Sequence, residues 1–110
     1  MQHIGINCKD RDEAVQTVTL FSQIFDLKLN TAKKGSPFAG TCVEAMAGNG
    51  PGTHGHIAFY TPDMDAAIAY LEEKGVAVNH ASAKRREDGS IYVIYLQDEI
   101  AGFAIQLINK

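Results

Sequence analysis

The feature that most constrains the fold of this chain is an internal repeat. One segment begins HIGINC and another begins HIAFY, and each reads as a strand followed by a helix and a further strand. Such a repeat predicts two supersecondary units that pack together, because one unit cannot bury its own apolar face. A constant spacing of 53 residues relates the following pairs: His3 with His56, Ile4 with Ile57, Asp10 with Asp63, and Asp12 with Asp65.

Both units open with a strand in which polar and apolar side chains alternate. Ile4 and Ile6 point to one face of the first strand and His3 to the other, since successive side chains of a strand alternate. In the second unit, Ile57 and His56 likewise point to opposite faces of the strand. We expect the apolar face to pack on the helix that follows. The pattern therefore predicts that both histidines lie on the opposite face of the sheet.

Each opening strand is followed by an amphipathic helix with recognisable ends. Asp10 precedes the first helix, and Glu13 three residues later completes a capping box. Asp63 caps the second helix, which is predicted to end at Gly75. Apolar residues at three- and four-residue steps predict the buried stripes. These stripes comprise Ala14, Val18, Phe21 and Phe25 in the first helix and Met64, Ala67, Ile68 and Leu71 in the second.

The rest of the sequence supplies further strands. After the second helix come VAVNHA, SIYVIYLQ and GFAIQLIN, with a hairpin turn at EDG between the first two. After the first helix come LKLNTA and FAGTCVEAMA, and we predict no third strand there, so the first unit is expected to be trimmed. The sequence predicts one α+β domain over residues 1–110, with repeat units at about 1–54 and 55–110.

Composition excludes several classes of protein. The formal net charge of -3 provides no basic surface for nucleic acid. Apolar residues make up 45% of the chain, but no apolar run approaches a membrane span, and the first residues lack a secretory signal pattern. Cys8 and Cys42 show no metal-type spacing, and we expect reduced, partly buried thiols rather than a disulfide. We therefore expect a cytoplasmic protein that binds neither nucleic acid nor membrane.

The tandem βαβββ-like pattern resembles the vicinal oxygen chelate superfamily, which includes glyoxalase I, bleomycin-resistance proteins, methylmalonyl-CoA epimerases and extradiol dioxygenases. The resemblance spans nearly the whole chain and is stronger in the second unit. It implies a glyoxalase-like fold, in which both units curl a mixed sheet around a shared cleft, and it implies a homodimer. The segments that carry it are HIGI at His3, GHIAF at Gly55, DMDAAIAYLEEKGV from Asp63 and FAIQLI from Phe103.

A closer resemblance points to a particular branch of this superfamily. HIGIN, FAGTCVEAM, HGHIAF, AIAYLEEKGV and YLQDEIAGFAIQLINK are similar to a glyoxalase-like domain fused to some bacterial 2-keto-3-deoxy-6-phosphogluconate aldolases. This chain carries no aldolase barrel and would be a free-standing version of that domain. By analogy, the association suggests a small 2-oxo or 2-hydroxy acid as the substrate.

The resemblance also implies a metal site made by one residue from each of four strands. Carried over to this sequence, the ligand positions are His3, Glu44, His56 and Gln106. Imidazole, carboxylate and amide groups suit a divalent ion of zinc, nickel, cobalt, manganese or iron. In isomerases of the superfamily a carboxylate ligand also serves as the base, which gives Glu44 the catalytic role. Gln106 departs from the usual glutamate and cannot accept a proton.

Two functions remain open from the sequence. One is a metal-dependent lyase or isomerase, and the alternative is a non-catalytic module that binds a small molecule or regulates a partner. Simpler interpretations of the site are a solvated edge-strand position for Glu44 and a cross-sheet hydrogen bond for Gln106. His54 and His80 are expected to be exposed. The charged segment 84–88 is expected to be a solvated hairpin tip or to hold an anionic substrate.

Overall fold

The computed structural model describes residues 1–110 and contains two helices and eight strands. Their order is β-α-β-β-β followed by the same order again, which confirms the predicted α+β fold class. The boundary between the repeat units, at about residues 54 and 55, stays a prediction. The elements are β1 (His3–Cys8), α1 (Arg11–Phe25), β2 (Leu29–Asn30), β3 (Phe38–Ala39), β4 (Val43–Ala47), β5 (Gly55–Tyr60), α2 (Met64–Glu73), β6 (Val78–Arg85), β7 (Ile91–Leu96) and β8 (Phe103–Ile108).

All eight strands form one mixed sheet in the order β2-β3-β4-β1-β5-β8-β7-β6. β1 pairs in parallel with β4, and β5 pairs in parallel with β8, while all other neighbours are antiparallel. Each half of the chain therefore contributes four strands in the same internal order. The halves join where β1 pairs with β5, and the pair Ile4 and Ile57 lies at the centre of that junction.

Both helices are capped at their N-termini by the predicted aspartates, Asp10 and Asp63. The Asp10 side chain accepts a hydrogen bond from the main-chain N–H of Glu13 at 2.9 Å, and Asp63 accepts one from Ala66 at 3.0 Å. These bonds satisfy N–H groups that have no partner within the helix. After α2, Gly75 adopts a φ of 85°, a left-handed conformation that favours glycine and ends the helix. No helix is both long and apolar enough to cross a membrane.

The two helices lie on one face of the sheet and bury an apolar cluster each. Ala14 and Val18 of α1 are buried against β1 and β4, and Met64 and Ile68 of α2 are buried against β7 and β8. These contacts fix which face of every strand points away from the helices. The strand faces predicted from alternation are therefore correct for β1, where Ile4 packs on the helix side.

Phe25 was wrongly placed in the buried stripe of α1, since 62% of it is exposed. The helix ends at this residue, and Asp26 turns the chain through a left-handed conformation with a φ of 54°. The turn brings Leu27 against the core instead. Helical periodicity alone could not reveal that the chain reverses before the stripe is complete.

The first unit also contains a strand that the sequence pattern did not predict. FAGTCVEAMA was predicted as one strand, but the chain turns at Gly40, with a φ of 59°, and forms β3 and β4. The first unit therefore has three strands after its helix, as the second unit has, although they are shorter.

The same turn leaves Cys42 exposed outside β4, contrary to expectation, whereas Cys8 is buried. Both thiols are free.

The sheet face opposite the helices surrounds a cleft with a volume of about 770 Å³. Asn30 of β2 and Lys84 of β6 both line this cleft, although their strands form opposite edges of the sheet. Residues from two opposite edges can line one cavity only if the sheet curves. The predicted curl around a cleft is therefore present, and it faces away from both helices.

Candidate metal centre

Strand pairing brings the four predicted ligand positions into two adjacent rows on the cleft face. Each row contains a histidine from the opening strand of one unit, a small residue, and a polar residue from a late strand. Because β1 and β5 are antiparallel, the two rows run in opposite directions and the histidines become diagonal neighbours. The rows are Glu44, Gly5 and His56, and Gln106, Ala58 and His3.

Three of these four side chains converge on one point. His56 Nε2 lies 3.2 Å from both His3 Nε2 and Glu44 Oε1, and His3 Nε2 lies 3.6 Å from the same carboxylate oxygen. One ligand atom from each residue lies within 4.8 Å of the others. Both histidines are buried and Glu44 is partly buried. Two imidazole nitrogens and a carboxylate oxygen in this arrangement fit a divalent metal ion that keeps further positions open.

A hydrogen bond from outside the cluster orients the ring of His3. His3 Nδ1 donates to Gln2 Oε1 at 2.7 Å, and Gln2 Nε2 donates to the carbonyl oxygen of Lys110 at 2.9 Å. The ring hydrogen is thereby held on Nδ1, which leaves the Nε2 lone pair directed at the cluster. A partner of this kind is usual for metal-binding histidines. Gln2 was not predicted, because its role depends on the position of the C-terminal residues.

His56 is positioned by packing rather than by a hydrogen bond to its outer nitrogen. Its Nδ1 is buried and has no hydrogen-bond partner. The ring lies directly over the main chain of Gly5, where a Cβ atom would stand 2.0 Å from Cε1 of His56 and 2.4 Å from Nδ1. Only glycine leaves room for this approach. This role of Gly5 was not predicted, and the available signal was that Gly5 shares its strand face with His3.

Burial and mutual proximity determine the charges in the cluster. Burial lowers the pKa of His3, and this outweighs the opposing effect of the Glu44 charge. Burial works to raise the pKa of Glu44, but hydrogen bonding and charge from His56, together with His3 and Ser36, hold that pKa below its usual range. At neutral pH, Glu44 is therefore ionised and His3 is neutral. These are the protonation states that metal binding requires.

Gln106 faces the same cleft with one half of its amide unpartnered. Its Nε2 donates to the hydroxyl oxygen of Tyr95 at 2.7 Å, whereas its buried Oε1 has no hydrogen-bond partner. A buried carbonyl oxygen without a partner costs free energy, so Oε1 is available to a metal ion or a ligand. Burial raises the pKa of Tyr95, so its hydroxyl keeps its hydrogen. Tyr95 was not among the predicted site residues.

The other polar residues singled out in the sequence divide between the cleft and the surface. His54 and His80 are exposed, as expected. In the charged hairpin, Lys84 lines the cleft, whereas Arg86 donates to main-chain and side-chain oxygens of Asn109. The hairpin is mostly exposed, as the first interpretation predicts, and a role for Lys84 in holding an anionic substrate stays a prediction.

The sequence matches no protein-family model and no curated protein. Its structure is similar to solved structures over almost the whole chain. A methylmalonyl-CoA epimerase from Streptomyces coelicolor in complex with 2-nitronate-propionyl-CoA has a TM-score of 0.64 at 22% identity, covering 100% of this chain and 96% of that chain. The epimerase from Mycobacterium tuberculosis has a TM-score of 0.59 at 18% identity, covering 98% and 85%. A hypothetical protein from Bacillus halodurans has a TM-score of 0.65 at 18% identity, covering 100% and 93%.

This chain has the glyoxalase-like fold of the methylmalonyl-CoA epimerases. The similarity confirms the predicted glyoxalase-like fold, and membership of the vicinal oxygen chelate superfamily stays a prediction. At these identities the similarity concerns the arrangement of the chain, and it assigns no substrate or ligand set. The closer resemblance to the aldolase-fused domain stays a prediction.

The packing of His56 on Gly5 gives a test of the cluster. We expect Gly5→Ala to weaken zinc binding by about tenfold or more, because the new Cβ must displace the His56 ring, and overpacking of this kind costs about 1–3 kcal/mol. Calorimetric titration of zinc measures the change. Gly35→Ala is the matched control, since a Cβ there meets no atom within 4 Å. Equal zinc affinity in both folded variants would contradict the role assigned to Gly5.

Proposed function

We propose that this protein is a metal-dependent isomerase or lyase that removes a carbon-bound proton from a small 2-oxo or 2-hydroxy acid. The observation that carries the proposal is the convergence of His3, Glu44 and His56 in one cleft. These residues, with Gln106 Oε1 as a fourth donor, would hold zinc, nickel, cobalt, manganese or iron. When bound, the ion supplies a Lewis acid that stabilises negative charge on substrate oxygens.

Glu44 is the residue that we assign as the base. It is the only acidic side chain that lines the cleft, and it is ionised at neutral pH. Tyr95 accepts a hydrogen bond from Gln106, so its own hydroxyl hydrogen is available to a substrate oxygen. With one carboxylate in the cleft, the proton is removed and returned on the same face of the substrate. This arrangement favours transfer between neighbouring atoms over inversion of a stereocentre.

The similar structures support an isomerase-type reaction on a small molecule. Several of them are methylmalonyl-CoA epimerases, in complex with methylmalonyl-CoA or with 2-nitronate-propionyl-CoA. The narrower class of 2-oxo or 2-hydroxy acids rests on the resemblance to the aldolase-fused domain, and it is an argument by analogy.

A second candidate function is a non-catalytic module that binds or senses a small molecule. Gln106 favours it, because an amide in place of a second carboxylate leaves Glu44 alone to neutralise a divalent ion. A binding module needs the cleft and its polar groups but no base. The two candidates therefore differ in whether bound acids lose a proton.

Solvent exchange tests the proposed reaction. In deuterated water, the zinc-loaded protein is expected to exchange the methyl protons of pyruvate or the C2 proton of lactate, as followed by proton NMR. Glu44→Gln should slow the exchange by about 100-fold or more, because an amide cannot accept the proton. Glu87→Gln, at the exposed hairpin, is the control. Undiminished exchange by zinc-loaded Glu44→Gln would exclude Glu44 as the base, and acid binding without exchange would favour the binding module.

Glu44 alone would balance the two positive charges of the ion. An added carboxylate is therefore predicted to raise the affinity of the site for metal. Gln106→Glu adds a second carboxylate of nearly the same size, and the added attraction should raise zinc affinity by about tenfold or more. The same change combined with His56→Ala should lose the gain. Gln97→Glu, in an exposed loop, adds the same charge away from the cleft and should have no effect. Negligible zinc binding by all of these proteins would show that the four residues do not form one site.

We also propose that the protein is a cytoplasmic homodimer. The two thiols are free, and α1 exposes Leu20, Ile24 and Phe25 on its outer side and at its end. Burial of such a surface by a second copy would remove apolar area from water. Light scattering at micromolar concentration is expected to give twice the mass of one chain, and Ile24→Glu should shift it toward a single chain. A single-chain mass for the parent protein would contradict the proposal.

A further inference from the structure

Basic and acidic side chains are distributed unequally between the cleft and the rest of the protein. The chain has 10 Lys and Arg residues and 13 Asp and Glu residues. Three of the 10 basic side chains line the cleft, namely Lys33, Lys84 and Lys110, but only one of the 13 acidic side chains does, namely Glu44. The cleft therefore has an excess of positive charge in a protein whose overall charge is negative, and such a cavity attracts anions.

The fold holds Lys33 at the cleft through its main chain. Lys33 lies in the connection between β2 and β3, and this connection is tied to the start of α1 by Arg11. The Arg11 guanidinium donates to the carbonyl oxygens of Thr31, Lys33 and Lys34 at 3.1, 2.9 and 2.5 Å. The position of Lys33 is thus fixed by three hydrogen bonds, although its ammonium group is exposed.

Lys84 reaches the cleft from the opposite edge of the sheet. It lies in β6 opposite Val93, another cleft residue, and the pairing of β6 with β7 shifts register on both sides of Lys84. Such irregularities redirect a side chain and are common beside functional sites. Lys110 completes the set after β8, with Nζ 5.5 Å from the centre of the Tyr92 ring. None of the three ammonium groups forms a salt bridge with a carboxylate.

We propose that the cleft binds a small acid that carries a second anionic group, a carboxylate or a phosphate, and that Lys33 and Lys84 select this group. The inference rests on the proposed function, in which the 2-oxo or 2-hydroxy acid group of the same ligand lies at His3, Glu44 and His56. The cleft volume of about 770 Å³ exceeds what a three-carbon acid fills, so there is room for a charged tail. An ammonium group is a common partner of phosphate and carboxylate in such positions.

Three acids with the same 2-hydroxycarboxylate head and different tails test this proposal. Lactate has a methyl tail, malate a carboxylate tail, and 3-phosphoglycerate a phosphate tail. We expect malate or 3-phosphoglycerate to bind zinc-loaded protein about tenfold or more tightly than lactate at low salt, as measured by calorimetry. The tighter of the two identifies the second anion. The advantage should shrink between about 20 mM and 500 mM salt, since screening weakens exposed charge pairs.

Variants assign the effect to the two lysines. Lys33→Met and Lys84→Met should each weaken binding of the charged-tail acid by about two- to fivefold, as expected for exposed charge pairs, and leave lactate unchanged. Lys74→Met is the matched control, because Lys74 follows α2 and its Nζ donates to the hydroxyl of Tyr70. Equal binding of all three acids, or an equal loss in Lys74→Met, would overturn the proposal.

The same titrations on metal-free protein separate this proposal from the proposed function. If the protein binds no zinc but still prefers charged tails in a manner that depends on Lys33 and Lys84, the metal centre fails and the anion site stands. If zinc binds but tail charge and both lysines have no effect, the metal centre stands and the anion site fails. Absence of binding for every acid, with and without zinc, would overturn the anion site.

Discussion

The antiparallel pairing of β1 with β5 is the interaction on which the candidate site depends. Ile4 pairs with Ile57, and a histidine precedes each of them, so the two rings become diagonal neighbours on one face. A shift of one residue in this register would turn one histidine toward the helices. The apolar side chains packed beneath α1 oppose that shift, because it would expose them and bury an imidazole among them. The core thereby fixes the register that assembles the cluster.

The two halves of the sheet share one strand order but differ in their side-chain chemistry. Strand pairing places Phe38 beside Glu44 in one half and Tyr95 beside Gln106 in the other. Glu44 therefore has an apolar neighbour in its row, whereas Gln106 is oriented by the tyrosine hydroxyl. The middle positions differ as well, since Gly5 admits the His56 ring above the main chain. The two repeat units supply the same strand arrangement, and the different residues at their matching positions make the cleft asymmetric.

Local patterns predicted most of the fold and the cleft-facing positions of His3 and His56. The aspartate caps, the end of α2 and the histidine-bearing face follow from hydrogen-bonding chemistry and side-chain alternation, which depend on near neighbours. Phe25 and the break at Gly40 were wrongly predicted, because each depends on where the chain reverses against the rest of the core. Glu44 and Gln106 were found through family resemblance together with their places in apolar strands.

The sequence by itself determined that two similar units exist, that each opens with a histidine away from its helix, and that the net charge is negative. Tertiary structure decided which atoms meet. Gln2 reaches His3 and the main chain of Lys110, and Lys33 and Lys84 reach one cleft from opposite edges of the sheet. These contacts join residues far apart in the chain. They arise from strand order and sheet curvature, which set distances that no local pattern of residues contains.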